Sequence, residues 1–324
     1  MTSDAILVGD VGGTNVRFAL AYASDGRITL SEIWKRAGAD FPEFNDALDA
    51  FLSETGARPA GASLGLAGVV ASDHVNLLNR GWIVDLAAVR ARLKGGRLTA
   101  ANDFIAMARA APELDADGLE PIRSGKRDPR GSAAVGGPGT GFGIAILRRI
   151  ARGWVVAGGE GGHQAFAPQT PLEWELAEAM RRRGVDVSNE LVAAGAGFEL
   201  TRDCLAEVMG LRARAMSPRE VIAAGLEGDA FASAFCRLRA ATVMTAMGNL
   251  ALICNASGGV YIAGGVARHL APWLDEPEAL ARFHNRGPHT PLLETFPINM
   301  IVSDAAPLLG AAHLWLDEGE RGWL

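Results

Sequence analysis

The sequence predicts an α/β protein made of two related domains with a ligand cleft between them. Two glycine-rich turns carry this prediction, because each joins one strand-like segment to another and they lie far apart in the chain. The length of 324 residues agrees with it, since a typical domain takes roughly 100–200 residues. We place the small domain at residues 1–107, with a C-terminal helix at 305–324 returning to it, and the large domain at 108–304.

Composition and charge exclude several classes of protein. Hydrophobic residues make up 49% and charged residues 21% of the chain, which is typical of a globular protein with sizeable cores. The net charge of −6 argues against general binding to nucleic acid or to a membrane surface, because both need a basic face. The three cysteines have no metal-binding spacing, and the N-terminus lacks the pattern of a signal peptide. We therefore expect a cytoplasmic protein.

The most apolar stretch, residues 241–266, is interrupted by asparagines and glycines. This interruption favours a buried helix followed by a buried strand over a membrane span. The polar segment Pro112–Ser132 is rich in proline and glycine, and we expect it to be a loop-rich excursion.

The first glycine-rich turn lies within LVGDVGGTNVRFAL, residues 7–20. A P-loop would need a lysine here, and a dinucleotide fingerprint would need a helix after the glycines. Instead Val16, Phe18 and Leu20 alternate with Arg17 and Ala19, which is the period-two pattern of a strand. The turn is therefore predicted to join strand to strand.

The residues of this turn predict a phosphate site, although an ordinary tight turn is the alternative for two glycines alone. We expect Gly12 and Gly13 to supply positive φ angles and bare backbone N–H groups. Thr14 and Asn15 add side-chain donors beside them. Asp10 ends the preceding strand, and a carboxylate beside phosphate implies a cation between the two. We predict Mg²⁺ near Asp10, held partly through water.

The second turn lies in VGGPGTGFGIAIL, residues 135–147, and repeats this architecture. Gly139, Thr140 and Gly141 form the turn, and residues 141–146 continue as a strand rather than a helix. Two hairpins with the same chemistry predict a nucleotide whose phosphates are held from both sides.

Asn102 and Asp103 follow an apolar strand-like segment at residues 97–101. Ligand sites gather at such strand ends in open α/β sheets, so both side chains are candidate site residues. Residues 104–108 have the pattern of a helix start, and a helix N-cap is the alternative role for Asp103.

Glu160 and His163 share the glycine-rich segment VVAGGEGGHQAFAP, which lets a ligand approach closely. A Glu and a His on one short loop can bind neighbouring hydroxyl groups of a polyol. A plain surface loop or a metal site is the alternative, although a metal site would need further clustered ligands. Glu190 can add another acceptor, but taken alone it is typical of a solvated charge.

Together these motifs resemble those of the bacterial glucokinase family, in its branch without zinc. That family uses ATP and has an actin/hexokinase-like (ribonuclease H-like) fold. The resemblance runs in order from Leu7 to about Leu314. Its segments are GDVGGTNVR at 9–17, LLNRGWIVD at 77–85, NDF at 102–104, GPGTGFG at 137–143, GEGGHQAFAP at 159–168, GGVYIAGGV at 258–266 and LLGAAHL at 308–314.

The resemblance implies a glucokinase, a phosphotransferase that makes glucose 6-phosphate and ADP in the first step of glycolysis. It implies that Asp103 is the catalytic base, and that the protein is a cytoplasmic homodimer using Mg²⁺ with ATP. The implied glucose contacts are Asn79, Asn102, Asp103, Glu160, His163 and Glu190. The ATP phosphates are assigned to Asp10, Gly12, Gly13, Thr14, Asn15, Gly139, Thr140 and Gly141, and the adenosine to Gly264 and Gly265.

The chain departs from the family's pattern at two positions on the sugar side. Arg80 stands where the family usually has His, and Ala194 stands where it usually has Ser. The zinc-bearing branch of related sugar kinases carries clustered cysteines after its sugar-binding His. Because no Cys lies between His163 and Cys204, we expect no structural zinc.

Several alternatives stay open on the sequence alone. They are a hexokinase of broader specificity, a sugar kinase that uses polyphosphate, a catalytically silent sugar sensor and an actin-like ATPase without a sugar substrate. The Glu160–His163 pair argues against the ATPase, and the presence of Asp103 argues against the sensor. In a kinase, we expect sugar binding to close the cleft, because closure keeps water from replacing the sugar.

Overall fold

The structure is a computed structural model, and it describes residues 5–24, 27–77, 81–151 and 153–321, with side chains as far as residue 318. The strands are β1 (Ile6–Val11), β2 (Asn15–Ser24), β3 (Arg27–Leu30), β4 (Trp34–Ala37), β5 (Gly61–Leu66), β6 (His74–Asn76), β7 (Ile83–Asp85), β8 (Arg97–Asn102), β9 (Leu119–Arg123), β10 (Ala133–Pro138), β11 (Phe142–Ile150), β12 (Gly153–Gly159), β13 (Val260–Ile262) and β14 (Ile298–Ile301).

The α-helices are α1 (Phe44–Thr55), α2 (Leu86–Arg92), α3 (Asp103–Ala110), α4 (Pro171–Arg181), α5 (Asn189–Ala193), α6 (Phe198–Val208), α7 (Pro218–Leu226), α8 (Ala230–Cys254), α9 (Gly265–His269), α10 (Ala271–Leu274), α11 (Pro277–His284), α12 (Thr290–Leu293) and α13 (Ala306–Arg321). Short 3-10 turns occur at Gly38–Asp40, Ala111–Glu113, Gly161–His163 and Gly287–His289.

One compact unit, called the first unit below, consists of residues 1–115, 149–157 and 303–324. Its sheet has the strand order β3-β2-β1-β5-β8, and β4 pairs with the first part of β2, residues 15–18, beyond the stretch that pairs with β3. Strand β1 is antiparallel to β2 and parallel to β5, which is parallel to β8. The carboxyl ends of β1, β5 and β8 therefore share one edge, and this edge carries both Asp10 and Asn102.

Strand β1 has apolar side chains on both of its faces, which explains why helices cover both faces of this sheet. Leu7 and Val11 belong to the core that contains Phe44 of α1 and Val89 of α2. Val8 points to the other face, where it packs with residues of α3 and α13. Successive side chains of a strand point to opposite faces, so a strand buried on both sides is apolar throughout.

The other compact unit, called the second unit below, consists of residues 116–148 and 158–302. Its sheet has the strand order β12-β11-β10-β13-β14-β9. Strand β10 is antiparallel to β11 and parallel to β13, which is parallel to β14. This hairpin followed by two parallel strands repeats the order β2-β1-β5-β8 of the first unit. The predicted α/β fold class is therefore confirmed.

Helix α8 forms the centre of the core of the second unit. It begins at Asp229, whose side chain accepts a hydrogen bond from the N–H of Ala232 at 2.9 Å, and it ends at Asn255, which is left-handed with φ of 50°. The helix packs against β10, α5, α7 and α11, which explains why it is apolar nearly all round. Within the described ranges, no helix is long and apolar enough to cross a membrane.

One local prediction is wrong. Neither Gly12 nor Gly13 has a positive φ, and the two ends of the turn are joined by a hydrogen bond from Gly12 N–H to the Asn15 carbonyl oxygen at 3.1 Å. The segment 112–132 is loop-rich, as expected, and it also contains β9, which pairs antiparallel with β14. Pro121 lies within β9. A proline is tolerated there because β9 is an edge strand, and its outer side has no neighbouring strand to which the missing N–H would donate.

The bounds of the two compact units differ from those of the domains predicted from the sequence. The first unit extends to residue 115, and it includes residues 149–157 from the end of β11 and most of β12. Helix α13 also lies in the first unit, packed along α3. The domain division predicted from the sequence, with bounds at residues 107 and 305, stays a prediction.

Candidate active site

The first hairpin places Asp10 and Arg17 opposite each other as cross-strand partners. The Arg17 Nε donates to Oδ2 of Asp10 at 2.7 Å, and a second guanidinium nitrogen contacts the same oxygen. Only 7% of Asp10 is exposed. Burial raises the pKa of its carboxyl group, and the charge and hydrogen bond of Arg17 oppose that rise.

Arg17 also connects the hairpin to the segment that precedes α13. Its Nη1 donates to the carbonyl oxygen of Asp304 at 2.8 Å. The sequence motif contains Arg17, but no role was assigned to it. In a hairpin with a short turn, residues equally far from the turn on its two sides face each other. The sequence therefore contained the information that Arg17 faces Asp10.

The turn between β1 and β2 leaves space beside its backbone. A Cβ atom added to Gly12 would meet nothing nearer than the Asn15 oxygen at 3.8 Å. Thr14 is exposed, and its carbonyl oxygen accepts from the N–H of Gly38 at 2.9 Å, which anchors the turn to the following loop. An anion can therefore approach this backbone closely, as the predicted phosphate site requires.

Asp103 lies where β8 runs directly into α3. Asn102 caps this helix, because its Oδ1 accepts from the N–H of Phe104 at 2.9 Å while its Nδ2 donates to the Gly68 carbonyl oxygen at 3.3 Å. Asp103 is the first helical residue, and its Oδ1 also accepts from Phe104 N–H at 2.8 Å. The alternative that Asp103 is the N-cap is therefore wrong, since Asn102 occupies that position.

Two carboxyl groups influence each other at this edge of the first sheet. Burial raises the pKa of Asp103, and the negative charge of Asp10 raises it further, while hydrogen bonds from backbone N–H groups lower it. A raised pKa makes a carboxylate a stronger proton acceptor. Carboxylate oxygens are also the protein ligands that Mg²⁺ prefers, usually one or two of them together with water and phosphate.

The second hairpin has the predicted strand–turn–strand form and a support that the sequence did not indicate. The Gly139 N–H donates to the Gly141 carbonyl oxygen at 2.7 Å, which closes the turn. Two N–H groups that follow α5 hold it from outside. Gly195 donates to the Gly139 oxygen and Ala196 to the Thr140 oxygen, each at 2.9 Å.

Glu190 connects α5 to the same hairpin. Its Oε2 accepts from the N–H of Phe142 at 2.8 Å, and its Oε1 lies 3.5 Å from Nε2 of His163. Only 19% of the Glu190 side chain is exposed. The alternative of a solvated surface charge is therefore wrong for Glu190, because its side chain is mostly buried and its Oε2 is hydrogen-bonded to the second hairpin.

Glu160 and His163 lie at the two ends of a single 3-10 turn, in which the His163 N–H donates to the Glu160 oxygen at 3.0 Å. A Cβ atom on Gly162 would lie 2.2 Å from the Phe142 carbonyl oxygen, so only glycine lets this turn pack against the start of β11. Both side chains are exposed. The turn thus presents a carboxylate and an imidazole next to Glu190.

Gly264 and Gly265 lie at the start of α9, beside the second hairpin. Gly264 has φ of 104°, and a Cβ atom there would lie 2.3 Å from the Pro138 carbonyl oxygen. A cavity of about 650 Å³ opens next to them, and Gly195 and Val266 are among its lining residues.

The predicted site residues form two groups, one in each unit. The first unit holds Asp10, Gly12, Gly13, Thr14, Asn15, Asn102 and Asp103. The second unit holds Gly139, Thr140, Gly141, Glu160, His163, Glu190, Gly264 and Gly265. Asn79 and Arg80 lie outside the described residues. In the part of the chain that the structure describes, no cluster of three or more His, Cys, Asp or Glu is suited to a metal ion.

Glycine-rich hairpins on two related sheets and acceptors suited to a polyol define a class, the sugar kinases with the hexokinase-like fold. The sequence profile of the glucokinase family matches residues 7–318. The chain therefore belongs to the glucokinase family.

Individual proteins agree with this assignment. The chain is 34% identical over 315 residues to the glucokinase of Saccharophagus degradans, covering 96% of this chain and 98% of that one. It is 37% identical over 317 residues to the glucokinase of Chromobacterium violaceum, covering 95% and 88%. The crystal structure of a glucokinase from an Antarctic psychrotroph superposes with a TM-score of 0.90 at 32% identity, covering 97% and 99%.

Proposed function

We propose that the protein transfers the γ-phosphoryl group of ATP to the 6-hydroxyl group of glucose, the first step of glycolysis. The observation that carries this proposal is the position of Glu190. Its carboxylate binds the second hairpin through Phe142 N–H and lies beside His163, so acceptors for a sugar adjoin a site for phosphate. An ATPase without a sugar substrate would have no use for this arrangement.

Asp103 is the proposed catalytic base. Its carboxylate accepts a hydrogen bond from the 6-hydroxyl group and takes the proton as the bond between O6 and the γ-phosphorus forms. The bond from that phosphorus to the bridging oxygen breaks, and ADP leaves with the electron pair. The raised pKa of Asp103 supports this role, because a base is more effective when its pKa lies closer to the working pH. Orientation of the hydroxyl group supplies a further part of the rate.

The remaining sugar contacts are proposed for side chains that can hydrogen-bond the ring hydroxyl groups. The Asn102 amide already bonds Phe104 N–H and the Gly68 oxygen, which fixes the orientation in which it meets a ligand. Exposed Glu160 and His163 offer an acceptor and an imidazole. The proposed glucose-binding set is Asn79, Asn102, Asp103, Glu160, His163 and Glu190, in which Asn79 stays a prediction from the sequence.

The nucleotide is proposed to bind through the two hairpins and the cavity. Backbone N–H groups of the hairpins, with the hydroxyl groups of Thr14 and Thr140, hold the phosphates. The phosphate set is Asp10, Gly12, Gly13, Thr14, Asn15, Gly139, Thr140 and Gly141. The adenosine lies against Gly264 and Gly265 and enters the adjoining cavity, whose volume of about 650 Å³ suits a ligand of that size.

Magnesium is proposed to accompany ATP. The residues fit a divalent cation, because Asp10 and Asp103 bring two carboxylates to one edge of the first sheet and the charge of Asp10 disfavours ionisation of Asp103. Asp10 would hold the ion, in part through water. The ion would neutralise charge on the transferred phosphoryl group. Arg17 keeps the Asp10 carboxylate oriented through its hydrogen bond and ion pair.

We further propose that the protein works in the cytoplasm as a homodimer, with no nucleic-acid or membrane partner and no structural zinc. The net charge of −6 supports the absence of nucleic-acid and membrane partners, because it disfavours polyanions and anionic membranes. The dimer rests on resemblance to the family, and the expected absence of zinc rests on the lack of any cysteine between His163 and Cys204. Sedimentation and elemental analysis of the purified protein would test both.

The first experiment is ADP production from Mg-ATP by the purified protein, with and without each of a panel of hexoses. Strong stimulation by glucose alone supports a glucokinase. Stimulation by several hexoses widens the specificity but keeps the reaction. ATP turnover with no dependence on sugar would overturn the proposal in favour of an ATPase, and turnover with polyphosphate in place of ATP would change the donor.

The role of Asp103 has its own test. We expect Asp103→Ala to lower kcat on the order of 10²–10⁴-fold, because this is the usual contribution of a general base. Glucose binding measured by calorimetry would show whether the variant still holds the sugar. A kcat within tenfold of the unmodified enzyme would reject Asp103 as the base.

A further inference from the structure

The cavity of the second unit that is proposed for the adenosine is lined by a buried arginine to which the proposed phosphoryl transfer assigns no role. Arg239 of α8 is only 3% exposed and lines the cavity together with Phe198 and Phe235. Its guanidinium carbon lies 5.6 and 5.3 Å from the centroids of these two rings. A buried charge is costly unless polar partners compensate it, so the partners of Arg239 indicate its purpose.

The hydrogen bonds of Arg239 go to the end of α5. Its Nη2 donates to the carbonyl oxygens of Ala193 at 2.7 Å and Ala194 at 3.0 Å. Among the described residues, Arg239 has no carboxylate partner and its Nε has no acceptor. Burial lowers the pKa of Arg239 to about 10, which leaves it protonated at neutral pH. The last carbonyl groups of a helix carry partial negative charge, which compensates the buried cation.

This contact is one hydrogen bond away from Glu190. The N–H of Ala194 donates to the Glu190 carbonyl oxygen at 2.8 Å, so a chain of two hydrogen bonds leads from the guanidinium to the Glu190 backbone. Helix α5 has only five residues, and so short a helix is not stable by itself. Its geometry depends on what holds its ends. The Glu190 carboxylate, in turn, binds Phe142 N–H and faces His163.

We propose that Arg239 is a positioning residue for Glu190. It fixes the C-terminal end of α5 and thereby the place of the carboxylate that accepts glucose hydroxyl groups. The glucose readout of this inference rests on the proposed function, but the effect on α5 does not. The competing explanation is that Arg239 only fills space between aromatic rings.

Arg202 provides a matched control. Its guanidinium carbon lies 5.9 Å from the Phe198 centroid, and it too donates to a backbone carbonyl oxygen, that of Met216, at 3.1 Å. It also bonds the Asp203 carboxylate at 2.8 Å. In the described part of the chain its hydrogen bonds go to these partners and not to α5. Arg202→Met therefore removes a similar side chain from the same aromatic group without releasing α5.

The experiment compares Arg239→Met, Arg239→Lys and Arg202→Met with the unmodified protein. Amide hydrogen exchange of residues 188–196 reports the order of α5 directly. Calorimetry with glucose, without nucleotide, gives the dissociation constant, and steady-state kinetics at saturating glucose and saturating ATP gives kcat, because Arg239 also lines the cavity proposed for the adenosine. Thermal unfolding shows that each variant is folded before the other measurements are compared.

We expect Arg239→Met to speed exchange in residues 188–196 and to weaken glucose binding on the order of tenfold, because hydrogen bonds from a charged donor are lost. The kcat at saturating glucose stays within about threefold, since Arg239 does not touch the reacting atoms. Arg239→Lys keeps a charged donor but loses the forked guanidinium group, so its exchange rates and glucose affinity should lie between those of the unmodified protein and Arg239→Met. Arg202→Met should leave both readouts unchanged.

Equal exchange and equal glucose affinity in Arg239→Met and Arg202→Met would overturn the proposal, because Arg239 would then only pack. If Arg239→Met does not fold, Arg239→Lys decides, and values identical to the unmodified protein count against the proposal. If the unmodified protein binds no glucose, the proposed function fails. The exchange comparison then still decides whether Arg239 orders α5.

Discussion

The surroundings of Asp103 change the acid–base chemistry of its carboxyl group. Its pKa is raised above the ordinary 3.8, first by burial and then by the charge of Asp10. An ionised carboxylate accepts the hydrogen bond from glucose, whereas a protonated one competes as a donor. We therefore expect the glucose affinity to fall as pH drops through the raised pKa, starting at a pH above 3.8. Calorimetric titrations without Mg²⁺ or nucleotide, over a range of pH, would measure this.

The control for this pH dependence is Asp103→Asn, which has no ionisable group at this position. Its glucose affinity should be lower and should lack this step, so the difference between the two proteins isolates Asp103. The stability of the folded protein depends on pH in the opposite direction to the glucose affinity. With the pKa raised in the folded state, the native protein binds more protons, and stability falls as pH rises from 3.8 to that pKa. Asp103→Asn should thus unfold at higher temperature at neutral pH. Identical pH profiles would contradict the assignment.

At the scale of single elements, two glycines of the second hairpin have different surroundings, which makes the proposed sugar and phosphate contacts of the hairpin separately testable. A Cβ atom on Gly141 would lie 2.8 Å from Oε2 of Glu190, whereas one on Gly139 would have nothing within 4 Å. We expect Gly141→Ala to displace the Glu190 carboxylate and raise the KM for glucose on the order of tenfold. Gly139→Ala should instead raise the KM for ATP, because the added methyl group would fill open space where the proposed function places a phosphate. The same change in both variants would count against this division.

Helix α3 carries Asp103 at its first position and a buried ion pair near its other end. Arg109 binds Asp317 of α13 through Nε at 2.6 Å, and the two side chains are only 3% and 5% exposed. We expect Arg109→Met to lower the free energy of unfolding by about 3–5 kcal/mol, because it leaves a buried carboxylate without its guanidinium. Denaturant unfolding would measure this loss.

The exposed pair Arg90–Asp73, at 3.2 Å with side chains 44% and 58% exposed, provides the control for that measurement. Arg90→Met should cost less than about 1 kcal/mol, since solvent screens such pairs. A loss of similar size in both variants would show that the α3–α13 pair does not hold this helix in place.

The elements that could be predicted from the sequence are those whose pattern is local. The period-two run after Gly13 predicts β2, and Asn102 followed by an apolar helix start places the β8–α3 junction. The contacts that were missed join residues distant in the chain. Arg239 to the end of α5, Gly195 to the second hairpin and Arg17 to Asp304 depend on packing that no window of sequence contains. Glu190 looked like a surface charge for the same reason.

At the scale of the whole molecule, the proposed reaction assigns side chains from both units to one glucose molecule. Asn102 and Asp103 belong to the first unit, and Glu160, His163 and Glu190 to the second. A ligand that binds the native state suppresses the openings that expose nearby amides. If one glucose engages both groups, then glucose alone should slow amide exchange in two separate stretches of the chain, residues 102–106 and residues 160–164 with 188–194.

Hydrogen exchange with mass spectrometry, with and without saturating glucose and without nucleotide, would measure this protection. At 100 times the dissociation constant, glucose stabilises the bound state by about 2.7 kcal/mol, which corresponds to roughly a hundredfold slowing where exchange needs the ligand to leave. Galactose, which differs in one hydroxyl stereocentre, is the control sugar and should protect less. Protection confined to the second unit would mean that Asp103 does not meet the sugar in the binary complex. Its assignment as the base would then depend on a further change that ATP must bring about.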